Sequence, residues 1–567
     1  VGTRHDRPNI VFFLSDDQGA WALGCAGNRE IRTPNLDRLA AEGIRFTNFV
    51  CASPVCSPAR ASILTGRIPS QHGIHDWIRA GNVPNEVPGV THGRPVEYLR
   101  GMIGYTDVLA QNGYTCGLSG KWHLGDSVRP QKGFSFWNVH ACGGSGYYDA
   151  PMIRNGSAYT EPRYVTDVIA ENAVAFLRER QGTGTPFYLG VHYTAPHSPW
   201  TPDQHPRRTY DEYHQRCPFN STPFEPMHPW QISSAPTGFD EPSRRRELSG
   251  YYTAITEMDR TIGDVIAELE RQGIRQNTLT VFTSDNGMNM GHHGLYGKGN
   301  ATFPANMFDT SVKVPMIVSR PGSVASGVVC DEMLSHYDLL PTLLEYVNVA
   351  NPAAGETPGL SFAPILRGEE LTRRDAVVVF DEYGPTRMIR TREWKYVHRY
   401  PYGPHELYDL VSDPEERHNV VEDARCQNVL RDLRARLSEW FVQWADPARD
   451  GSREPVRGVG QHDLAGPAGA GVIAFNQDFR FLSTSHGQQP HSELASRHSP
   501  CGGMGLGRKG RNTCSTRSRE TKQSRGASAF AASTISSASI RTSAGKRLSS
   551  GEKRARCGGP PEAYPMV

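Results

Sequence analysis

The sequence predicts an α/β protein: a large, mostly parallel sheet sandwiched by helices over residues 1–355, then a smaller C-terminal subdomain of antiparallel sheet plus helix over 356–450. Three observations carry this. The apolar runs at Asn9–Ser15, 186–193 and Thr278–Ser284 are continuous, as in strands buried on both faces. Helical segments stand between them, which parallel crossovers require. Beyond 358–367 the pattern changes to short strands with tight connections, which favours antiparallel pairing.

In chain order, the strand Asn9–Ser15 ends in Asp16-Asp17-Gln18-Gly19, so two carboxylates sit at a strand's carboxyl end, where open α/β sheets form their sites. Thr33-Pro34 opens a helix over 35–42, and 45–50 reads as a strand. Cys56-Ser57-Pro58-Ala59-Arg60 reads as a helix start that runs to Gly66, with Pro58 in the first turn. Cys56 then faces the free N–H groups, and Arg60 returns to its side of the helix, an arrangement suited to an anion. Residues 105–112 read as a helix and 114–119 as a strand leading to Lys121-Trp122-His123, whose Lys121 and His123 share one side of an extended chain.

A helix follows at 166–180, then the strand 186–193 and Pro196-His197-Ser198-Pro199, which places His197 on a stiff loop. Residues 201–242 are rich in Pro, His and aromatics with little periodicity and read as a long functional loop. The helix 248–272 precedes Thr278–Ser284, which ends in Asp285-Asn286-Gly287 and so repeats the design of the first strand. Asp16, Asp17, Asp285 and Asn286 form a hard oxygen set suited to Ca²⁺ or Mg²⁺. Lys298 sits between glycines in the loop 291–300, where the backbone can approach a ligand closely. A strand at 312–319 and a helix at 336–347 complete the first domain. Strands at 376–383, 386–391 and 394–400 and the closing helix 429–444 make the second, with Leu430, Leu433, Leu437, Trp440 and Phe441 forming a core stripe.

The net charge of +2 is unevenly spread: from Gly451 onward 17 Lys/Arg stand against 7 Asp/Glu, while the preceding part is acidic. Residues 451–567 are Ser-, Gly- and Arg-rich without periodicity and read as a disordered basic tail, with no basic–aromatic interleaving to indicate nucleic-acid binding. The eleven cysteines contain no CxxC pair, and the odd count fits free thiols in a reducing compartment. No run reaches the length of a membrane helix, and no apolar targeting core stands at the start, so the expectation is a cytoplasmic protein without a membrane partner.

Cys56-x-Pro58-x-Arg60, followed by Thr65-Gly66, resembles the signature of the type I, formylglycine-dependent sulfatases of the alkaline phosphatase-like superfamily. Ala59 stands where many members carry Ser. The resemblance runs from about residue 8 to 444. It extends to the paired acids Asp16 and Asp17, the pair Asp285 and Asn286, Lys121-x-His123, the Pro-His197-x-Pro loop, Lys298, and the Leu407-Tyr408-Asp409-Leu410 then Asp413-Pro414 pattern. It implies that a transient formylglycine-generating partner oxidises Cys56 to formylglycine. The hydrated aldehyde is then the nucleophile and joins Asp16, Asp17, Asp285 and Asn286 around one divalent cation, Ca²⁺ ahead of Mg²⁺. Arg60 stabilises the ionised diol, Lys121 holds a sulfate oxygen, His197 and Lys298 serve the departing oxygen, and His123 takes the proton that releases sulfate. The implied substrate is a sulfated saccharide or small organic sulfate. The competing readings are a phosphonate or phosphate ester hydrolase of the same superfamily, and an anion-binding protein whose Cys56 stays a thiol.

Overall fold

Asn9–Ser15 forms the expected strand, β1, and every one of its residues is buried. The computed structural model describes residues 7–83, 94–232, 235–370, 374–381, 385–453 and 460–465. In chain order the further strands are β2 (Ile44–Val50), β3 (Thr115–Gly120), β4 (Phe134–His140), β5 (Ala150–Arg154), β6 (Ser157–Glu161), β7 (Phe187–His192) and β8 (Thr278–Ser284). A two-stranded hairpin of β9 (Asn289–Met290) and β10 (Tyr296–Gly297) follows, then β11 (Met316–Ser319) and β12 (Val328–Ser335). The ten-stranded sheet has the order β12-β2-β11-β8-β1-β7-β3-β4-β5-β6.

β8, β1, β7, β3 and β4 run parallel, which explains their continuous apolar sequences: helices cover both faces. One apolar cluster joins Ile10, Phe12 and Leu14 to residues on one side of the sheet, and a second joins Val11 and Phe13 to the other. β11 was expected among the parallel strands, but it runs antiparallel to both β8 and β2. Its four buried residues carry no directional signal, because a strand enclosed by neighbours reads alike in either direction. The antiparallel edge β4-β5-β6 also has no counterpart in the sequence reading.

Two further differences concern the long segment before Thr278. A helix occupies Arg207–Arg216 inside the expected loop, with Tyr210 and Tyr213 buried. The following helix spans Glu241–Arg271 and starts seven residues before the expected position. Asp240 caps it, accepting from Ser243 N at 2.9 Å, and Pro242 occupies its first turn. The polar run Ser243–Glu247 hides this start from a reading based on apolar periodicity.

The C-terminal strands β13 (Val377–Asp381), β14 (Thr386–Arg390), β15 (Trp394–Arg399) and β16 (Glu406–Asp409) pair antiparallel in sequence order. The helix Gln427–Trp444 buries Leu433, Leu437 and Phe441 against them. Ala52, Ile68 and Tyr337 belong to the same cluster, so this sheet shares its core with the segments around the Cys56 helix. The expected tail from residue 451 is described only at Gly451–Arg453 and 460–465; the remainder lies outside the described residues. At 460–465 the expectation of disorder gives way to structure: Gln461 is fully buried, its Nε2 donates to Gly73 O at 2.9 Å, and its Oε1 accepts from His75 N at 2.9 Å. Among the described residues no helix is long and apolar enough to cross a membrane.

Candidate active site

The carboxyl ends of β1 and β8 lie side by side, pairing Ser15 with Ser284, so Asp16-Asp17 and Asp285-Asn286 emerge together. Carboxylate oxygens of Asp16, Asp17 and Asp285 lie within 4.8 Å of one another, all three residues buried. Asp17 adopts a left-handed backbone (φ 65°), which turns the chain across the sheet edge and lets Asp17 N donate to Asp285 Oδ1 at 3.1 Å. Asn286 Nδ2 donates to Asp17 Oδ1 at 2.8 Å. Its Oδ1 is buried without a hydrogen-bond partner.

The predicted helix is present as Cys56–Thr65, ended by Gly66 at φ 65°. It carries Cys56 Sγ to 3.4 Å from Asp16 Oδ1 and 3.8 Å from Asp17 Oδ1. Arg60 comes within electrostatic reach of Cys56, but its hydrogen bonds go to other groups. The Arg60 guanidinium is engaged elsewhere, with Nε 2.9 Å from Asp285 Oδ2, Nη2 3.7 Å from Asp16 Oδ1, and Nη1 donating to Lys121 O at 3.1 Å. Burial, then the Asp16 carboxylate, push the Cys56 thiol well above its ordinary pKa, so it is a neutral SH.

Three cations oppose the three carboxylates. Lys121 Nζ bonds Asp16, Lys298 Nζ bonds Asp17, and Lys298 Nζ also lies 2.8 Å from Cys56 Sγ. Burial alone would lower the Lys298 pKa; Asp17, the Cys56 side chain, Asp16 and Asp285 outweigh it, so Lys298 stays protonated. For Asp285, burial opposes ionisation but Arg60 and Lys121 overcome it. Asp16 is pushed up by burial first and by Asp285 second, against the opposing pull of Lys121.

Lys121 and His123 do converge, but not by strand alternation. Gly120 (φ 104°) and His123 (φ 54°) are both left-handed, and this turn after β3 aims the two side chains into one cavity. His123 Nε2 donates to Ile78 O at 3.0 Å, so its lone pair is on Nδ1, which is buried without a partner. Burial first, then Lys121 and Arg60, hold its pKa well below the ordinary histidine range. His197 Nδ1 donates to Ser198 O at 2.7 Å, leaving Nε2 3.6 Å from Asp17 Oδ2.

These groups border a cavity of about 440 Å³ whose wall includes Asp17, Cys56, Lys121, His123, His197 and Lys298. Its outer part is formed by Trp77, Ile78, Arg79, Asn82, Asn300 and residues 142–145. Of the long segment 201–242, only Ala235 among the described residues contributes, because the helix Arg207–Arg216 packs against Glu241–Arg271 instead of the cavity. The 142–145 wall was not anticipated. Its signal is the Gly-Gly pair in a glycine-rich run after β4: a Cβ at Gly143 would lie 2.1 Å from His123 Nε2. His72 does not border the cavity; it is buried with Nε2 3.2 Å from Ser62 Oγ.

A sulfatase family model matches residues 8–349, and the C-terminal model of N-sulphoglucosamine sulphohydrolase matches 291–443. The chain belongs to the sulfatase family. This sulfatase is 27% identical over 519 residues to the N-acetylglucosamine-6-O-sulfatase of Bacteroides thetaiotaomicron, covering 78% of this chain and 87% of that protein. It is 28% identical to human arylsulfatase A, covering 73% and 83%. A solved structure described as in complex with its substrate D-glucosamine-2-N,6-O-disulfate superposes with a TM-score of 0.66 at 25% identity, over 79% of this chain and 100% of that one. A putative sulfatase of Bacteroides fragilis gives a TM-score of 0.65 at 24% identity over 80% and 99%. The fold is therefore the expected alkaline phosphatase-like one, and the enzyme is a sulfuric ester hydrolase.

Proposed function

We propose that this sulfatase hydrolyses a sulfate ester of a carbohydrate, using formylglycine made from Cys56 and one divalent cation. The observation that carries this reading is that Cys56, Asp17, Lys121 and Lys298 line one cavity, with the carboxylates of Asp16 and Asp285 clustered against that of Asp17. The residues present fit a hard cation: three carboxylate oxygens lie within 4.8 Å of one another, and Asn286, whose Nδ2 bonds Asp17, has a buried Oδ1 with no partner. Asp16, Asp17, Asp285 and Asn286 would hold it. An all-oxygen set with mixed geometry favours Ca²⁺, which tolerates irregular coordination better than Mg²⁺. When bound, the cation would supply charge withdrawal from the ester oxygens.

The hydrated aldehyde at position 56 would supply the nucleophilic oxygen that a buried, neutral thiol does not. Lys121 and Lys298 present ammonium groups to the sulfate oxygens, where spread negative charge gains most from fixed donors. Neutral His123 offers Nδ1 as a proton acceptor; its other nitrogen is committed to Ile78 O, so the ring cannot turn to the wrong tautomer. His197 has Nδ1–H committed to Ser198 O and Nε2 3.6 Å from Asp17 Oδ2; as the imidazolium it would carry a second proton on Nε2, and that proton would pass to the departing alkoxide and leave the neutral ring. Asp16, Asp17 and Asp285 form one carboxylate cluster, and the sulfatase family match supports sulfate over phosphate as the ester.

The saccharide substrate is supported by relatives whose names specify sugar sulfates, the N-acetylglucosamine-6-O-sulfatase and an ulvan-active sulfatase of Formosa agariphila. The test is peptide mass across Cys56 after co-expression with a formylglycine-generating enzyme, with turnover of 4-nitrophenyl sulfate, 4-nitrophenyl phosphate and sulfated monosaccharides. Thiol-to-aldehyde conversion with sulfate turnover is the expected result. An aldehyde with phosphate preferred, or an intact thiol, overturns it.

A further inference from the structure

Gln461 lies beyond both matched family segments, 8–349 and 291–443, yet it is fully buried behind Trp77, Ile78 and Arg79 of the cavity wall. Its backbone forms a short parallel bridge there: Gln461 N donates to Trp77 O at 2.8 Å, and Arg79 N donates to Gln461 O at 2.9 Å. The side chain reaches back along the same segment. Oε1 accepts from His75 N at 2.9 Å, and Nε2 donates to Gly73 O at 2.9 Å and to Asp463 O at 3.0 Å. One residue thus grips the chain at Gly73, His75, Trp77 and Arg79. Gly460 permits the close approach: its backbone is left-handed at φ 79°, and a Cβ there would lie 2.8 Å from Trp77 Cε2.

In an extended chain the backbone groups of successive residues face opposite edges. Trp77 O and Arg79 N face Gln461, so Ile78 turns its own N–H and C=O the other way. There Ile78 N donates to Ser57 Oγ at 3.0 Å, beside Cys56 on its helix, and Ile78 O accepts from His123 Nε2 at 3.0 Å. Ile78 is 1% exposed and so bridges three elements: the 460–465 strap, the Cys56 helix and the turn that carries His123. His123 Nδ1 is buried without a partner, so the Ile78 carbonyl decides which ring nitrogen carries the proton. We propose that Gln461 is a positioning residue for sulfate ester hydrolysis: it holds Trp77-Ile78-Arg79 from behind and thereby sets the carbonyl that orients His123 as proton acceptor. The proposal rests on the role of His123 given under the proposed function, and it extends the working active site to a strap beyond the C-terminal subdomain.

The experiment compares the full-length, formylglycine-bearing wild type with two variants. Gln461→Met keeps the side chain's length and the backbone bridge but loses the bonds to Gly73 O and His75 N; Gly460→Ala instead crowds Trp77. The first readout is rapid-mixing release of 4-nitrophenol from 4-nitrophenyl sulfate. The alcohol departs before His123 takes its proton, so a misplaced His123 enlarges the initial burst of alcohol and slows the steady state about tenfold. In a His123→Ala background, Gln461→Met then changes the steady-state rate by less than about twofold. Burst and steady state falling together, an unchanged rate, an equal loss in the His123→Ala background, or loss of the folded circular dichroism spectrum in both variants overturns the positioning role. The second readout, hydrogen exchange over residues 74–82, needs no turnover. Faster exchange in the variants is expected, and unchanged exchange overturns the support from Gln461. A wild type that cleaves no sulfate ester would overturn the proposed mechanism instead, with the exchange comparison still deciding whether Gln461 holds this wall.

Discussion

The catalytic centre and the ion cluster around Asp309 are assembled from the same parts, buried carboxylates facing ammonium and guanidinium groups, yet they are finished differently. Asp309 joins the first domain to the C-terminal sheet. It receives Arg390 Nε at 3.1 Å and Nη2 at 3.0 Å, Lys395 Nζ at 2.6 Å and Lys313 Nζ at 2.9 Å. Glu416 closes the cluster, bonding Lys395 and accepting from Asp309 N at 2.6 Å. None of these side chains borders the catalytic cavity. At the catalytic centre Lys121 and Lys298 face the carboxylates, but Asn286 Oδ1 and His123 Nδ1 are left unpartnered. A cluster closed on itself holds two sheets together; one left with unused polar capacity beside a cavity is prepared for a ligand.

Four expected outcomes break or sharpen that contrast, the largest first. Under the proposed mechanism Cys56→Ala removes the precursor of the nucleophile, so kcat for 4-nitrophenyl sulfate should fall by about 10⁴-fold, roughly 5 kcal/mol, with the folded circular dichroism spectrum retained. Second, Lys395→Met removes a cation whose Nζ bonds Asp309 and Met307 O, leaving buried carboxylates uncompensated. Urea unfolding should show a loss of about 3–5 kcal/mol. Third, chelation of Ca²⁺ should abolish turnover and lower stability by about 2.7 kcal/mol relative to protein held at a hundredfold excess over Kd. The Asp309 cluster, already satisfied, predicts that the Lys395→Met loss stays the same with or without chelator.

The fourth outcome is a pH dependence and concerns a buried acid that belongs to neither cluster. Asp76 accepts from Trp77 N at 2.7 Å but has no partner at Oδ2, and burial raises its pKa to about 8. A raised carboxyl pKa means the folded state binds the proton more tightly than the unfolded chain. Its stabilising contribution is full below the unfolded value near 3.8 and is lost as pH rises towards 8. The Asp76→Asn variant titrates no such group. Its stability relative to wild type should therefore climb between pH 4 and 8 by at most about 1.4 kcal/mol per pH unit, then level off. A flat difference across that range, read from urea midpoints, would refute the assignment.

Much of the site was legible in the sequence because its residues sit at ends of strongly patterned elements. Asp16-Asp17 and Asp285-Asn286 end two apolar strands, and pairing of β1 with β8 brings them together. Cys56 opens a helix whose proline and glycine mark both limits. Lys121 and His123 were found for an incomplete reason: two left-handed residues, one of them a histidine, replace the alternation that an extended chain would give. The wall at 142–145 depends on a glycine approaching His123, and the support behind Trp77 depends on Gln461, 384 positions further along. Neither has a local periodicity to announce it.

By itself, then, the sequence determined which strands are buried on both faces, where the Cys56 helix starts and stops, and which acids, lysines and histidines stand at the ends of such elements; each follows from local chemistry and periodicity. Tertiary structure alone decided the antiparallel course of β11, the hydrogen bonding of Arg60 to Asp285 and the Lys121 carbonyl, and the neutral state of the thiol. It also placed Gln461 behind the cavity wall at Trp77-Ile78-Arg79. These depend on what distant segments bring within a few ångströms, because burial and Coulomb interaction are set by neighbours in space, and a linear pattern records only neighbours in the chain.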